Sequence, residues 1–281
     1  MISHFFTVDV EEYFHVSAFE PWIARSDWPN WPTRLPAILP MLLDLLERYE
    51  ARGTFFVLGW VADHMPDVVR SIASRGHEIG SHGYWHRRVN TMTPAEFAAE
   101  LRMSKQALEN LTGAPVLGFR APSFSLVPGV EWAFDVLLEE GYRYDSSIFP
   151  IRRRGYGYPG APSDPYLVRR DAGTLAEYPL ATTGFGRLRL PAAGGGYLRQ
   201  LPFALIRWAF ANAENDRRPA TFYIHPWELD PDQPRVPVSL LTRARHYRGL
   251  SRTLPRVERL LREFRFTTIA SHLPALERTS A

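Results

Sequence analysis

The chain contains no cysteine in its 281 residues. Disulfides, thiolate metal sites and cysteine nucleophiles are therefore excluded, and a reducing compartment is allowed without being demanded. No run of 18 apolar residues occurs, so no membrane-spanning helix is expected. The N-terminus enters a strand pattern directly, without the charged and apolar regions of a secretory leader. Its reading is a cytoplasmic protein, with work beside a membrane export pathway as an extension. An excess of one charge is also missing: 33 basic residues face 30 acidic ones, for a net charge of +3. Nucleic-acid binders carry a stronger basic footprint, so nucleic acid is not an expected partner. The run "RRR" at 152–154 reads as a solvated loop.

What is present is ordinary for a soluble globular protein: 45% hydrophobic and 22% charged residues. A chain of this length can bury a core without covalent staples. Strand-like and helix-like segments alternate. Residues 2–8 read as a strand. Residues 35–52 carry apolar side chains at helical spacing and stop at Gly53. "TFFVLG" (54–59) is a strand, 66–76 a helix ending on glycine, and "HEIGSH" (77–82) a short strand. "TPAE" (93–96) is a capping box that starts a helix running to about Leu111. A strand (115–122), a helix (129–141) and the strand end "YRYDSS" follow. Later come the helical "PFALIRWAFANA", the strand "ATFYIHPWE", the helix "LPRVERLLREF" and the strand "RFTTIA". Such alternation means βα units and a parallel sheet, with room for six or seven units. We expect one domain over 1–281. An irregular insertion at about 152–201 contains one strand-like piece, "AEYPLA", and a helical extension closes the chain.

The unusual residues fall at the carboxyl ends of these strands: Asp9 and Glu11, His82 and His86, Arg120, Asp145, and His225. In parallel α/β folds those ends form the active-site face. In "TVDVEEYFH" (7–15), Asp9 and Glu11 alternate around Val10 and so share a face, with Val10 free to pack. Two imidazoles four apart in "SHGYWH", joined by one carboxylate, make the usual three-donor set of a catalytic zinc site. One acid of the pair can bind a metal while the other stays free. Arg120 can clamp a carboxylate with two hydrogen bonds. His225 suits proton transfer. Blander readings compete for each: a polar turn for the histidines, a solvated acidic strand end, a surface arginine, and a satisfied core histidine.

The segments "TVDVEEYFH", "SHGYWH", "RAPSFS", "YDSS" and "FYIHPWE" occur in the order of the five motifs of polysaccharide deacetylases with the NodB homology domain. The resemblance covers roughly residues 3–270. "TFFVLGWVA", "GYRYDSSIFP" and "IHPWELDPDQPR" resemble a bacterial subgroup associated with exopolysaccharide loci. It implies an α/β fold, a distorted (β/α) barrel of about seven parallel strands. It also implies a divalent metal and hydrolysis of N-acetyl groups on a glycan. The metal is zinc first, with Co²⁺ and Fe²⁺ suited to the same donors. Residue by residue, Asp9 takes the catalytic-base position and His82 and His86 metal-ligand positions. Arg120 takes the position that tethers the base, and His225 the catalytic acid. Asp145 matches the fourth motif only in part and is assigned to tuning His225. The family's usual second aspartate is replaced by Val10. Glu11 is then the third metal ligand, and Glu12 the fallback, although alternation turns Glu12 to the other face.

Trp22, Trp28, Trp31, Trp85 and Trp227 are candidate glycan contacts, as is "GGGYLR" (194–199), each with a core or turn reading beside it. Two rivals accompany the deacetylase reading. One is a cyclic-amide (ureide or imide) hydrolase on a related barrel, separable by its reaction product. The other is a non-catalytic glycan-binding member, separable by metal content.

Overall fold

Seven of the eight residues of the first strand, β1 (Ser3–Val10), are buried, as expected for a central strand covered on both faces. In this computed structural model, which describes residues 2–153, 155–185 and 188–278, ten further strands follow: β2 (Thr54–Val57), β3 (Glu78–Ser81), β4 (Gly118–Phe119), β5 (Tyr144–Asp145), β6 (Tyr166–Arg170), β7 (Gly173–Glu177), β8 (Thr182–Phe185), β9 (Leu188–Pro191), β10 (Thr221–Ile224) and β11 (Arg265–Thr267). The helices are α1 (Leu35–Arg48), α2 (Gly59–His64), α3 (Pro66–Ser74), α4 (Pro94–Thr112), α5 (Trp132–Glu139), α6 (Gly195–Gln200), α7 (Phe203–Asn215), α8 (Leu240–Tyr247), α9 (Thr253–Glu263) and α10 (Leu273–Arg278).

The main sheet runs β10–β1–β2–β3–β4–β5–β7–β6, with β11 pairing the start of β1. Every pairing is parallel except β6 with β7. Its two ends curl toward each other. Leu180, just past β7, bridges Thr221 of β10, and the Ala181 amide donates to the Thr221 carbonyl at 3.0 Å. Seven parallel strands thus form a distorted (β/α) barrel, with β11 paired in parallel outside that ring, and the free edge of β10 is met by the Leu180–Thr221 and Gly194–Tyr223 bridges.

The two faces of β1 show how the barrel is filled. Phe6, Val8 and Val10 pack in the large core under the helices. Phe5 joins Phe56, Tyr144, Ala176, Tyr178, Ile269 and Leu273 in a separate cluster. Thr7 and Asp9 continue the Phe5 face toward the strand's carboxyl end. Gly118 of β4 makes room for this lining, since a Cβ there would overlap the Tyr144 ring.

Local signals act as read. The capping box at α4 is formed, with Thr93 Oγ1 accepting the Glu96 amide and Glu96 accepting the Thr93 amide at 2.8 Å. Two readings need revision. "TFFVLG" is a strand only to Val57, because Gly59 opens α2. The stretch 152–201 is not merely irregular: it holds the β6–β7 and β8–β9 hairpins and α6. These strands are four or five residues long and broken by glycine and proline, so they carry little periodicity. Arg154, within "RRR", lies outside the described residues. Among the described residues, no helix is long and apolar enough to cross a membrane.

Candidate active site

The carboxyl ends of the barrel strands converge on one cavity of about 350 Å³. Asp9, Glu11, His82, His86 and His225 line it, together with Arg199 and Trp227. Asp9 lies within β1 and Glu11 just after it. His82 follows β3, Arg120 follows β4, Asp145 ends β5 and His225 follows β10.

The Glu11, His82 and His86 donor atoms all lie within 4.8 Å of one another. His82 Nδ1 faces the Arg120 carbonyl at 2.8 Å. That carbonyl can only accept, so Nδ1 carries the proton and Nε2 keeps its lone pair for a metal. His86 is held at φ 51°, a conformation uncommon outside glycine that marks functional turns. Its Nε2 stands 2.8 Å from Glu11 Oε2, yet that buried oxygen has no aligned hydrogen-bond donor. Glu11 Oε1 is fixed separately by Trp227 Nε1 at 3.2 Å. Burial alone would raise the Glu11 carboxyl; His86, His225 and His82 outweigh it and hold it below the usual range. Burial pushes His82 down to about 4, keeping it neutral. Two imidazoles and an ionised carboxylate with an orphaned oxygen fit a divalent cation.

Asp9 is clamped from behind. Arg120 is fully buried, and its Nη1 donates to Asp9 Oδ1 at 2.8 Å and to Thr7 Oγ1 at 2.6 Å. Its other nitrogens reach the Ser146 carbonyl (2.8 Å) and the Ser146 hydroxyl (2.7 Å). Asp9 Oδ2 is left beside the cavity, 3.8 Å from His225 Nε2.

His225 Nδ1 pairs with Glu228 Oε1 at 2.7 Å, and Glu228 Oε2 accepts from Arg199 Nε at 2.7 Å. Burial disfavours charge on His225. The Glu228 hydrogen bond and the charges of Glu11, Glu228 and Asp9 outweigh burial and push it up to about 9. Glu228, although buried, is held down to about 2 by Arg199 and His225. The imidazole is stacked on Trp227, centroids 4.9 Å apart.

Two assignments shift. No hydrogen bond or ion pair joins Asp145 to His225 among the described residues. It accepts from Ser147 Oγ at 2.5 Å, and pairs with Glu177 across the β5–β7 register. Burial raises both carboxyls, and Glu177 further by the Asp145 charge. Because Ser147 Oγ also accepts the Ala121 amide at 2.7 Å, "YDSS" braces the Arg120 loop. Glu12 is not a ligand: it accepts the Arg34 and Leu35 amides at 2.6 and 2.9 Å and caps α1. Burial raises it to about 7.

Glu228 and Arg199 were missed as site residues. The signals existed: "HPWE" sets His225 and Glu228 three apart, and "GGGYLR" delivers Arg199. A Cβ on Gly194, at φ 135°, would overlap the Tyr223 carbonyl, so only glycine lets that loop cross β10 there. Of the tryptophans, Trp227 lines the cavity, Trp28 is buried, Trp22 is exposed, and Trp31 and Trp85 pack against the core.

Comparisons with known proteins give two family matches along the chain. Residues 27–130 match the family model Polysaccharide deacetylase, and residues 146–274 match a domain of unknown function, DUF3473. A Helicobacter pylori peptidoglycan deacetylase is 31% identical over 112 residues, covering 39% of this chain and 36% of that protein. A Colletotrichum lindemuthianum chitin deacetylase is 35% identical over 97 residues, 33% of this chain and 39% of that one. The alignments thus span little more than a third of these relatives. The fold is shared with a candidate polysaccharide deacetylase from Mycobacterium smegmatis (TM-score 0.66, 19% identity, 99% of this chain and 92% of that one). The matched segment, residues 27–130, is similar to polysaccharide deacetylases and holds His82, His86 and Arg120.

Proposed function

We propose that this chain hydrolyses N-acetyl groups from N-acetylhexosamine units of a bacterial exopolysaccharide or its precursor. The whole of residues 1–281 acts as one catalytic unit, with a divalent cation, zinc first, on Glu11, His82 and His86. The observation that carries the reading is convergence in one cavity of that donor triad, the clamped Asp9 and the Glu228-held His225. A cation bound there supplies Lewis acidity toward the acetamide carbonyl. The protein's own groups supply the proton transfers. Asp9 has Oδ1 committed to Arg120, which fixes its orientation, and its free Oδ2 takes the proton of the attacking water. His225 donates Nδ1–H to Glu228, and the neighbouring carboxylates keep the ring charged, so it also holds a proton at Nε2 and gives it to the leaving amine.

The test is acetate release from a panel of N-acetylhexosamine oligomers, with and without chelator, beside elemental analysis. Release that stops with chelator and returns with zinc is the expected outcome. No acetate from any member, or ring opening of a cyclic ureide instead, overturns the reading.

A further inference from the structure

The region between residues 233 and 257 contains six arginines and no aspartate or glutamate. The whole chain carries a net charge of only +3, so this is a local concentration rather than a general bias. At its centre lies α8, which forms one lip of the active-site cavity through Thr242, Arg245 and His246.

His246 and Tyr247 of α8 are buried, while Leu240, Leu241, Arg243, Ala244, Arg245 and Arg248 are exposed. Leu240, Leu241, Ala244, Arg245 and Arg248 recur at i, i+1, i+4, i+5 and i+8, one face of a helix continued to its cap, and Arg243 stands exposed beside it. The face starts apolar and ends basic. Leu240 is 82% and Leu241 60% exposed, the two most exposed large hydrophobic residues described. Arg243, Arg245 and Arg248 form no ion pair with a carboxylate among the described residues. The loop packed on α8, where Phe19 meets His246 at 4.5 Å between centroids, carries the exposed Trp22.

We propose that this face docks the protein on an anionic lipid surface and so brings the cavity mouth to membrane-anchored substrate. Two leucines are too little apolar area for the core of a stable protein interface, which needs about 800 Å² per partner. A leucine pair among unpaired arginines has the composition of an interfacial anchor instead: apolar tips enter the acyl boundary while guanidinium groups meet lipid phosphates. The charge balance of the segment excludes a basic partner and favours an anionic one. This inference concerns a surface outside the metal and proton-transfer residues, and its test needs no turnover, so it stands or falls separately from the deacetylase reading.

The test is co-sedimentation of the full chain with phosphatidylglycerol–phosphatidylcholine vesicles and with phosphatidylcholine vesicles. The variants are Leu240→Gln with Leu241→Gln, and Arg243→Gln with Arg248→Gln, each checked for fold by circular dichroism. The protein should bind the anionic vesicles, bind the neutral ones far less, and lose binding as salt rises. The leucine pair should weaken partitioning roughly tenfold, because two inserted side chains are removed. The arginine pair should weaken it by a similar factor through charge. Absence of binding to anionic vesicles overturns the proposal. Binding to which a well-folded leucine variant is indifferent also overturns it.

Discussion

Glu228 holds His225 at Nδ1 over 2.7 Å, and its second oxygen is itself held by buried Arg199 at 2.7 Å. His225 is therefore braced by Glu228 of its own loop and, through it, by Arg199, not by "YDSS".

Replacing Glu228 with Gln should lower kcat with KM little changed, since a substrate-free face of the imidazole is affected. A loss of about 10–100-fold is expected from an impaired proton donor. The alkaline limb of the rate profile should move down, because losing the carboxylate removes the largest of the interactions that push His225 up to about 9, while Glu11 and Asp9 remain. Asp145→Asn should leave that limb in place. A limb that moves with Asp145 and not with Glu228 would reverse the assignment.

Asp9→Asn should retain metal and lose turnover by about 10²–10⁴-fold. Its Oδ1 can still accept from Arg120, so the clamp is kept while the base is removed. Elemental analysis beside initial rates checks both halves of this statement.

His82→Ala and Glu11→Gln should each lower metal stoichiometry as well as activity, because each removes one of three donors. Zinc retained at full stoichiometry in the Glu11 variant would remove Glu11 from the ligand set.

Glu12→Ala should act on stability alone. It strips two amides at the start of α1 of their acceptor, a loss of ~1 kcal/mol by analogy with other N-terminal caps. Thermal unfolding should shift down while metal content stays constant.

Stability should decline as pH falls from about 6.5 to 4. Burial pushes His4 and His77 down to about 4 each, so the unfolded chain binds these protons first. The folded state then loses ~1.4 kcal/mol per unit of depression for each group, and the loss levels off below both values. Urea midpoints across this range provide the measurement, and His77→Asn should show a shallower decline.

Much of this protein is decided by local pattern. Period-two alternation places Asp9 and Glu11 on one face and Val10 in the core, because side-chain direction in a strand depends only on parity. The βα rhythm sets a parallel sheet, and parallel sheets put their strand ends on one side, so the site residues could be named before any contact was known. Tertiary structure alone decided which of them meet. Asp145 sits at the expected strand end yet pairs with Glu177, because β7, folded from a glycine-rich stretch with little periodicity, takes the neighbouring position. Glu228 could be placed near His225 by spacing, but its buried charge is tolerable only because Arg199 arrives from 29 residues earlier. The acids of the opening stretch are likewise divided by partners distant in sequence: Arg120 for Asp9, His82 and His86 for Glu11, and the first turn of α1 for Glu12. Charge type and face are properties of the chain, whereas pairing in a buried site depends on which strands become neighbours.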